Sequence, residues 1–266
     1  PELFATMQPR VTFCVAQKGH IIAVNGKERG KLFVPGEGWY KLGITAPANS
    51  PSVVASDGGN SFSGEYAVAY RYVDKFGNVS NLSPIADVTV AKDSKFTYTL
   101  NKTDEKRVTK IQVFRSTVDQ RATLYKACEI NVTSGTGTVN VTETLSDEAL
   151  LKSDALPLYY SDGRPCANSH TPPPEKASVV VTFGDYHFYS VFTDNDKKNA
   201  IYYSNQGEPE SVPEHNSVYI GLSPDIDDRI NAIVPWGMGL YVFTVSACYR
   251  LVWASDPYVD LTVKQV

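Results

Sequence analysis

The sequence predicts an all-β chain in which partial β-propeller-like blades flank an inserted antiparallel β-sandwich. Glycine turns followed by two apolar strands occur near both ends of the chain, and repetition of such a unit is typical of propellers. Between these copies, residues 53–158 carry about seven short strands with a different spacing, which is typical of a sandwich. We expect propeller-like strands in residues 1–48 and 161–266. The sandwich and its connecting segment are expected in residues 49–160.

The first blade-like copy lies in residues 10–43. Residues 11–16 alternate with the period of a half-buried strand. Apolar strands at 21–24 and 31–34 flank the Asn25-Gly26 turn, where glycine enters positive φ at no steric cost. The following residues 44–52, ITAPANSPS, are small and proline-rich, which predicts a linker.

The middle section begins with a long predicted strand, residues 64–74, whose Tyr66, Val68, Tyr70 and Tyr72 share one face. Further strands are predicted at 85–90, 96–100, 109–116, 124–132 and 137–142. The pieces YRYVDKFGNVSNLSP and TKIQVFRSTVDQRATLYKACEI resemble fibronectin type III repeats. The resemblance covers residues 53–145 and implies an antiparallel sandwich. No RGD-type binding loop is present in the sequence.

One short helix is predicted after the sandwich, at residues 146–156. Ser146 is a good N-cap, and acidic residues follow in the first turn. Residues 159–174 are loop-like and end in a proline run that is expected to be stiff and extended. This loop would return the chain to the blade-like part.

Two further blade-like copies follow the loop. Residues 184–187 lead into a strand at 188–192, and a second strand is predicted at 200–204. In the clearest copy, residues 227–253, three strands are joined by turns at 237–239 and 246–247. Its first strand alternates Ile230, Ala232 and Val234 with Asn231, Ile233 and Pro235. About two and a half units are visible, whereas closed propellers use four or more, so we expect other subunits or further sequence to supply the missing partners.

Composition excludes several classes of function. The formal net charge is −4, so the chain offers no basic footprint for nucleic acid or for an acidic membrane. The sequence has no apolar run long enough to span a bilayer and no signal-peptide pattern. Because it starts at Pro1 and its last predicted strand runs to Val266, we expect a fragment or a processed chain.

No catalytic or metal-binding constellation is recognisable. The aspartates at 194 and 196 have the spacing of a calcium loop, but no EF-hand follows, and a polar hairpin turn is the preferred interpretation. The cluster Asp225, Asp227 and Asp228 is interpreted as a solvated loop. There is no GxSxG elbow, no P-loop and no metal spacing of histidines. We therefore expect no enzymatic activity, no catalytic, cofactor-binding or metal-binding residues, and no cofactor.

Four other residue sets are noted. The four cysteines, without a CxxC pair, are expected to be buried free thiols of a reducing cytoplasm. His20 and His187 are placed at equivalent repeat positions, which favours a structural role. Five asparagines begin N-x-[ST] sequons, which matter only in a secreted eukaryotic protein. The aromatic candidates are interpreted either as part of an interface or as part of the core between sheets, and both interpretations stay open. The sets are Cys14, Cys128, Cys166 and Cys248; His20, His170, His187 and His215; Asn78, Asn81, Asn101, Asn131 and Asn140; and Trp39, Tyr159, Tyr160 and Trp236.

The order of these patterns resembles virion structural proteins of tailed bacteriophages. It comprises GWYKLG, ITAP, GxYxxxYxYVDxxGNxSNxSP, IYYSNxxEPESVP and INAIVPWGxxLYVFTxxxxYRL, and it covers most of the chain. In that class, propeller-bearing tail proteins of the tubular or nozzle type surround the DNA exit channel.

The resemblance implies a structural protein of the virion tail, made in the host bacterial cytoplasm. The protein would form a ring with copies of itself near the tail or head–tail junction. It would contact other tail or portal-region proteins, let DNA pass without sequence-specific binding, and have no membrane partner. The alternative is a surface- or carbohydrate-binding module of a secreted bacterial protein.

Overall fold

The structure, a computed structural model, is all-β, with half of the chain in strands and 3% in helix. It describes residues 3–5, 10–159, 169–191, 198–220, 229–253 and 261–265, and only the backbone of Gln17, Trp253 and 261–265. The chain divides into two compact units. The first, which we call the blade unit, comprises residues 1–43 and 172–266, and the second, the sandwich unit, comprises residues 44–171. The divisions therefore fall at 43/44 and 171/172, where the sequence led us to expect 48/49 and 160/161.

Twenty strands, one α-helix and one 3₁₀ helix are described. The α-helix, α1, is Asp147–Leu150, and the 3₁₀ turn is Gln17–Gly19. In chain order the strands are β1 Thr12–Val15, β2 Ile21–Val24, β3 Lys31–Val34, β4 Gly38–Lys41, β5 Ser52–Asp57, β6 Gly64–Asp74, β7 Ala86–Val90, β8 Ser94–Asn101, β9 Val108–Arg115, β10 Thr123–Asn131, β11 Thr138–Glu143, β12 Ala155–Pro157, β13 Val179–Phe183, β14 Tyr186–Ser190, β15 Ala200–Tyr203, β16 Ser217–Tyr219, β17 Ile230–Trp236, β18 Gly239–Thr244, β19 Cys248–Trp253 and β20 Leu261–Gln265.

The blade unit contains three four-stranded antiparallel sheets, each a meander in chain order. We call them blade 1 (β1–β4), blade 2 (β13–β16) and blade 3 (β17–β20). Within the described residues there are therefore three blade-like units, where the sequence led us to expect about two and a half. The sequence analysis missed β4, β13 and β16: β16 has only three residues, too few to show alternation, and β13 follows a proline-rich stretch without a glycine turn.

The first strands of the blades lie side by side, as the inner strands of a propeller do. β13 packs against β1 on one side and against β17 on the other. Two side-chain hydrogen bonds join β1 to the second blade. The Thr182 hydroxyl donates to the Val15 carbonyl over 2.8 Å, and the Thr12 hydroxyl donates to the Ser178 carbonyl over 3.1 Å.

Neighbouring blades pack face to face. Between blades 2 and 3, Phe188 and Ile201 meet Leu240 and Val242 in one buried apolar cluster. Toward blade 1, the other face of β14 presents Tyr189, which is buried, close to Cys14. Blade 2 thus contacts blade 1 with one face and blade 3 with the other, because successive side chains of a strand point to opposite faces of its sheet.

The sandwich unit pairs a five-stranded sheet, β12-β10-β9-β6-β7, with a three-stranded sheet, β11-β8-β5. The order β10-β9-β6-β7 with β8 beside β5 is similar to the G-F-C-C′ and E-B order of immunoglobulin-type sandwiches. β11 differs, because it follows β10 in the chain and yet pairs at the free edge of β8. The predicted face of β6, with Tyr66, Val68, Tyr70 and Tyr72, lies in the core between the sheets.

A buried arginine lies at one end of this core. Arg115, at the end of β9, pairs with Asp147 over 2.9 Å and with Glu143 over 3.2 Å. Its guanidinium carbon lies 4.6 Å from the ring centroid of Phe96 and 5.0 Å from that of Tyr66. These contacts join β9 to β11 and to α1.

Two expectations for this unit were wrong in part. The helix predicted at 146–156 ends at Leu150, because the chain turns there and residues 155–157 pair as a strand with β10. The Ser146 cap is present and accepts from the Ala149 amide over 3.2 Å. The linker expected at 44–52 is not wholly exposed, since Ile44 packs in the sandwich core.

Candidate interaction surfaces

Two open sheet faces of the blade unit are the candidate functional site. We call the face of a blade that points to the next blade in chain order its forward face, and the opposite one its backward face. Blade 2 has both faces covered by its neighbours. In the described part of the chain, the forward face of blade 3 and the backward face of blade 1 are not packed against another blade.

A β-bulge orients the open face of blade 3. The β17–β18 pairing shifts register between Ile230 and Ala232. Because one extra residue reverses which side chains point to each side, Ile233 joins Ile230 in the core, and Val234 points outward. The simple alternation expected for this strand is therefore interrupted.

The forward face of blade 3 is apolar and aromatic. Val234, Trp236, Tyr241 and Phe243 line an open pocket of about 330 Å³. Trp236 is 73% exposed, so of the two interpretations left open for it, the sheet-to-sheet core is excluded. The hairpin turn beside it starts at Gly237 with φ 56°, the conformation that a type II′ turn requires at that position.

Basic residues border this face, because the register places Arg250 on β19 opposite Lys264 on β20. Arg250 on β19 pairs in register with Tyr241 on β18, and its guanidinium carbon lies 6.0 Å from the Tyr241 ring centroid. At that distance the contact is a weak cation–π interaction. The Arg250 Nε is buried, and no hydrogen-bond partner for it lies among the described residues.

The backward face of blade 1 carries a continuous apolar row. The register places Val15 opposite Ile21, Ile21 opposite Phe33, and Phe33 opposite Trp39, so the row crosses all four strands. The rings of Phe33 and Trp39 are 5.1 Å apart. Val15 is 64% exposed, and Phe13, on the adjacent row, is also exposed. Lys31 and Lys41 continue that adjacent row on the outer strands.

Sequence reasoning missed most residues of both faces. Among its aromatic candidates, Trp39 and Trp236 belong to them. Tyr159 is exposed in the sandwich unit, and Tyr160 lies outside the described residues. A usable signal was present: the strands β1 (Thr12–Val15) and β2 (Ile21–Val24) carry apolar residues on both faces, which indicates strands covered on both sides.

The histidines and cysteines have separate environments. His187 is buried inside β14, whereas His20 precedes β2 and is half-buried, so the two do not occupy equivalent positions. Cys14, Cys128 and Cys248 are free and half-buried, and Cys166 lies outside the described residues. Burial raises the pKa of Cys14 to about 11. Burial, with the Glu143 charge, raises the pKa of Cys128 to about 12.

The acidic clusters at 194–196 and 225–228 lie outside the described residues. Within the residues that are described, no group of three or more histidine, cysteine or acidic side chains is placed to hold a metal ion. Over the same residues, no helix is long and apolar enough to cross a bilayer. Of the sequon asparagines, Asn78 donates to Asp74 and Asn81 to Thr171, while Asn131 and Asn140 are exposed.

Neither the models of protein families nor the sequences of curated proteins match this chain.

Proposed function

We propose that this protein is a structural component of a tailed-bacteriophage virion, a tail protein of the nozzle or tubular type. It forms a ring around the DNA channel near the tail or the head–tail junction. Its partners are copies of itself and other tail or portal-region proteins. The sequence resemblance supports a place in the phage particle, and the open sheet faces of the blade unit support a need for partners.

The observation that supports the proposal most is the pair of open apolar faces on the blade unit. Exposed apolar patches rimmed by polar residues mark sites of association. Here the forward face of blade 3 and the backward face of blade 1 both carry large exposed side chains, with Trp236 and Val15 the most open members. A protein that functions within an assembly accounts for both faces at once.

Charge is compatible with a wall that DNA slides past. Neutralising phosphates requires lysine and arginine in clusters, and each such contact would slow a passing duplex. The chain has 25 basic and 29 acidic residues. Under the proposal, DNA is a passing molecule and is not bound in a sequence-specific way. The protein has no catalytic role.

The second candidate is a secreted surface- or carbohydrate-binding module. One observation favours it: Trp236 and Tyr241 line the same open pocket on blade 3. Aromatic side chains that are apolar in body and polar at the tip are typical of binding surfaces that remain partly wet. In that case the pocket would hold a ligand instead of another protein sheet.

Mass spectrometry of density-purified phage particles tests the choice. We expect tryptic peptides such as residues 11–18 and 111–115 at a fixed ratio to other tail proteins. Gold-labelled antibodies against the chain should mark the tail end of the particle. The second candidate would instead be supported if the chain were absent from particles and bound to a glycan array. In that case the Trp236→Ala variant should not bind to the array.

A further inference from the structure

We propose that copies of this chain meet through the edges of the three-stranded sheet in the sandwich unit. β5 (Ser52–Asp57) of one copy pairs in parallel with β11 (Thr138–Glu143) of the next copy. The inference deepens the proposed function and rests on its self-association, because it names a contact between neighbours in the ring. It commits to a second copy of this chain as the partner.

Both edges are open within the described residues. β5 and β11 are the outer strands of the sheet β11-β8-β5, which belongs to a unit internal to the sequence. The described backbone hydrogen bonds of both strands all run inward to β8. Each strand therefore presents an outer row of amides and carbonyls, and such a row is a template for pairing with another strand.

The edges of the other sheet are protected. β12, at one edge of the five-stranded sheet, has three residues and ends in Pro157. β7, at the other edge, carries Asp87 in an exposed ion pair with Arg121 at 2.8 Å. Short strands, proline and charge are the devices by which proteins prevent edge-to-edge pairing. β5 and β11, in contrast, have six residues each without lysine, arginine or proline, and they pair with β8 without a bulge.

The direction of the two strands agrees with a ring. β5 and β11 are both antiparallel to β8, so they run in the same direction. A rotation about an axis along the strands brings β5 of one copy beside β11 of the next in parallel orientation. Because the contact joins two different edges, it is heterologous, and cyclic symmetry closes such contacts into a ring. Copies arranged in this way around a channel form one continuous belt of sheet.

The side chains match when the two strands are aligned from their first residues. β5 packs Val53 and Ala55 against the sandwich core, and β11 packs Val139 and Val141 against it. In this alignment the four side chains form one apolar face across the contact. The alternate residues of both strands are exposed and continue one outer face. A shift by one residue would place core-facing positions beside exposed ones, so the pattern specifies the alignment.

Charge is confined to the last position of each strand. Asp57 and Glu143 come side by side there in the proposed alignment. Glu143 is buried, and Arg115 compensates its charge at 3.2 Å. Asp57 is exposed at the end of β5 and remains hydrated. The first five positions of the contact are therefore free of charge.

Disulfide trapping tests the contact, because an edge of this length buries little area and associates weakly in solution. Val54→Cys in one preparation of the full chain and Asn140→Cys in another place thiols at exposed, aligned positions. Neighbouring strands lie about 4.8 Å apart, a separation that a disulfide spans. We expect the oxidised mixture, at about 0.1–1 mM, to form a mixed dimer that neither variant forms alone. Peptide mass spectrometry distinguishes the new bond from bonds of the native cysteines.

Three further variants serve as controls. Tyr159→Cys, at an exposed residue of the sandwich unit away from both edges, should not cross-link to Val54→Cys. Thr138→Cys and Thr142→Cys, two residues to either side on β11, should cross-link to Val54→Cys less than Asn140→Cys does. A chain with both Val54→Cys and Asn140→Cys should give a ladder of oligomers, because each copy then carries both halves of the contact.

A charge reversal tests the alignment. Ser56 and Thr142 are exposed and come side by side in the proposed contact. Adding Ser56→Lys to the first cysteine variant and Thr142→Lys to the second should abolish the mixed dimer, because like charges on neighbouring strands repel. Thr142→Glu in place of Thr142→Lys should restore it. Recovery of this kind depends on the contact and would not follow from a loss of folding.

Three results would overturn the inference. The first is a mixture without a bond between positions 54 and 140. The second is a Val54→Cys variant that dimerises by itself as readily as the mixture does, which would indicate a two-fold contact of β5 with itself. The third is equal cross-linking by the Tyr159→Cys control.

The outcomes separate this inference from the proposed function. Specific cross-linking by a chain that is absent from phage particles leaves the inference standing and removes the function. A chain that is found in particles, but whose double cysteine variant forms no ladder there or in solution, removes the inference alone.

Discussion

Replacing Arg115 by methionine should destabilise the sandwich unit by about 3–5 kcal/mol, the cost of breaking a buried ion pair by removing one partner. The guanidinium is fully buried, and the side chains of Glu143 and Asp147 are 2% and 6% exposed. Methionine fills much of the same volume. The main loss is therefore the positive charge that compensates two buried carboxylates.

Hydrogen exchange read by mass spectrometry measures this effect in each unit separately. Since about 1.4 kcal/mol corresponds to a factor of ten, amides in the core of β6 and β9 should exchange about 10²- to 10³·⁵-fold faster in Arg115→Met. Peptides from β14, in the blade unit, provide the internal reference. Tryptophan fluorescence provides a second one, because Trp39, Trp236 and Trp253 all belong to the blade unit.

Two control variants separate charge from packing. Lys110 pairs with Glu129 at the surface, where its side chain is 43% exposed, so Lys110→Met should cost at most about 1 kcal/mol. In the triple variant Arg115→Met, Glu143→Gln, Asp147→Asn, the uncompensated charges are gone, and exchange should slow again toward wild type. A single variant within tenfold of wild type, or a triple variant as fast as the single one, would refute the electrostatic reasoning.

Two further predictions concern titratable groups of the folded chain. Burial lowers the pKa of His187 below the ordinary 6.5, an effect that the Val15 carbonyl opposes, so the unfolded chain takes up the proton first. Stability of the blade unit should thus be constant above about pH 7 and should fall as pH drops below 6.5. Urea midpoints followed by tryptophan fluorescence should show this slope for wild type and a flatter one for His187→Gln; equal slopes in the two would contradict the assignment. For the thiols, the raised pKa values predict that alkylation at about pH 8 is slower in the folded chain than in urea, by roughly 10²-fold for Cys14 and roughly 10³-fold for Cys128. Peptide mass spectrometry measures both rates, and folded rates equal to unfolded ones would show that these thiolates are not suppressed.

Strand existence was predictable from the sequence wherever alternation and a glycine turn coincided. The long strand β6 was predicted with its observed bounds and its buried face, because four large side chains recur at every second position. The short strand β16 and the strand pairing of residues 155–157 depend on partners far along the chain, and local pattern does not encode them.

The open faces were harder to predict for a physical reason. Whether Val234 points inward or outward depends on a one-residue bulge near Ile230, and the sequence there has no glycine or proline to mark it. Likewise, Val15 and Ile21 look like core residues, because apolar strands covered on both sides and strands with one open face have the same composition. Only the count of sheets in the folded unit distinguishes the two cases.

The sandwich unit leaves and rejoins the blade unit at adjacent points, since a side-chain carbon at Gly43 would lie 2.7 Å from Pro172. This insertion has a consequence for synthesis on the ribosome. Blade 1 is made first, yet its neighbour β13 follows more than 160 residues after β1. The Thr12–Ser178 and Val15–Thr182 hydrogen bonds join residues that are this far apart in the chain. At about 5–20 residues per second, blade 1 waits about 7–30 s with both faces bare. The sandwich unit folds during this time and so lowers the entropic cost of bringing β1 and β13 together. The insertion therefore influences the order in which the sheets of the blade unit assemble.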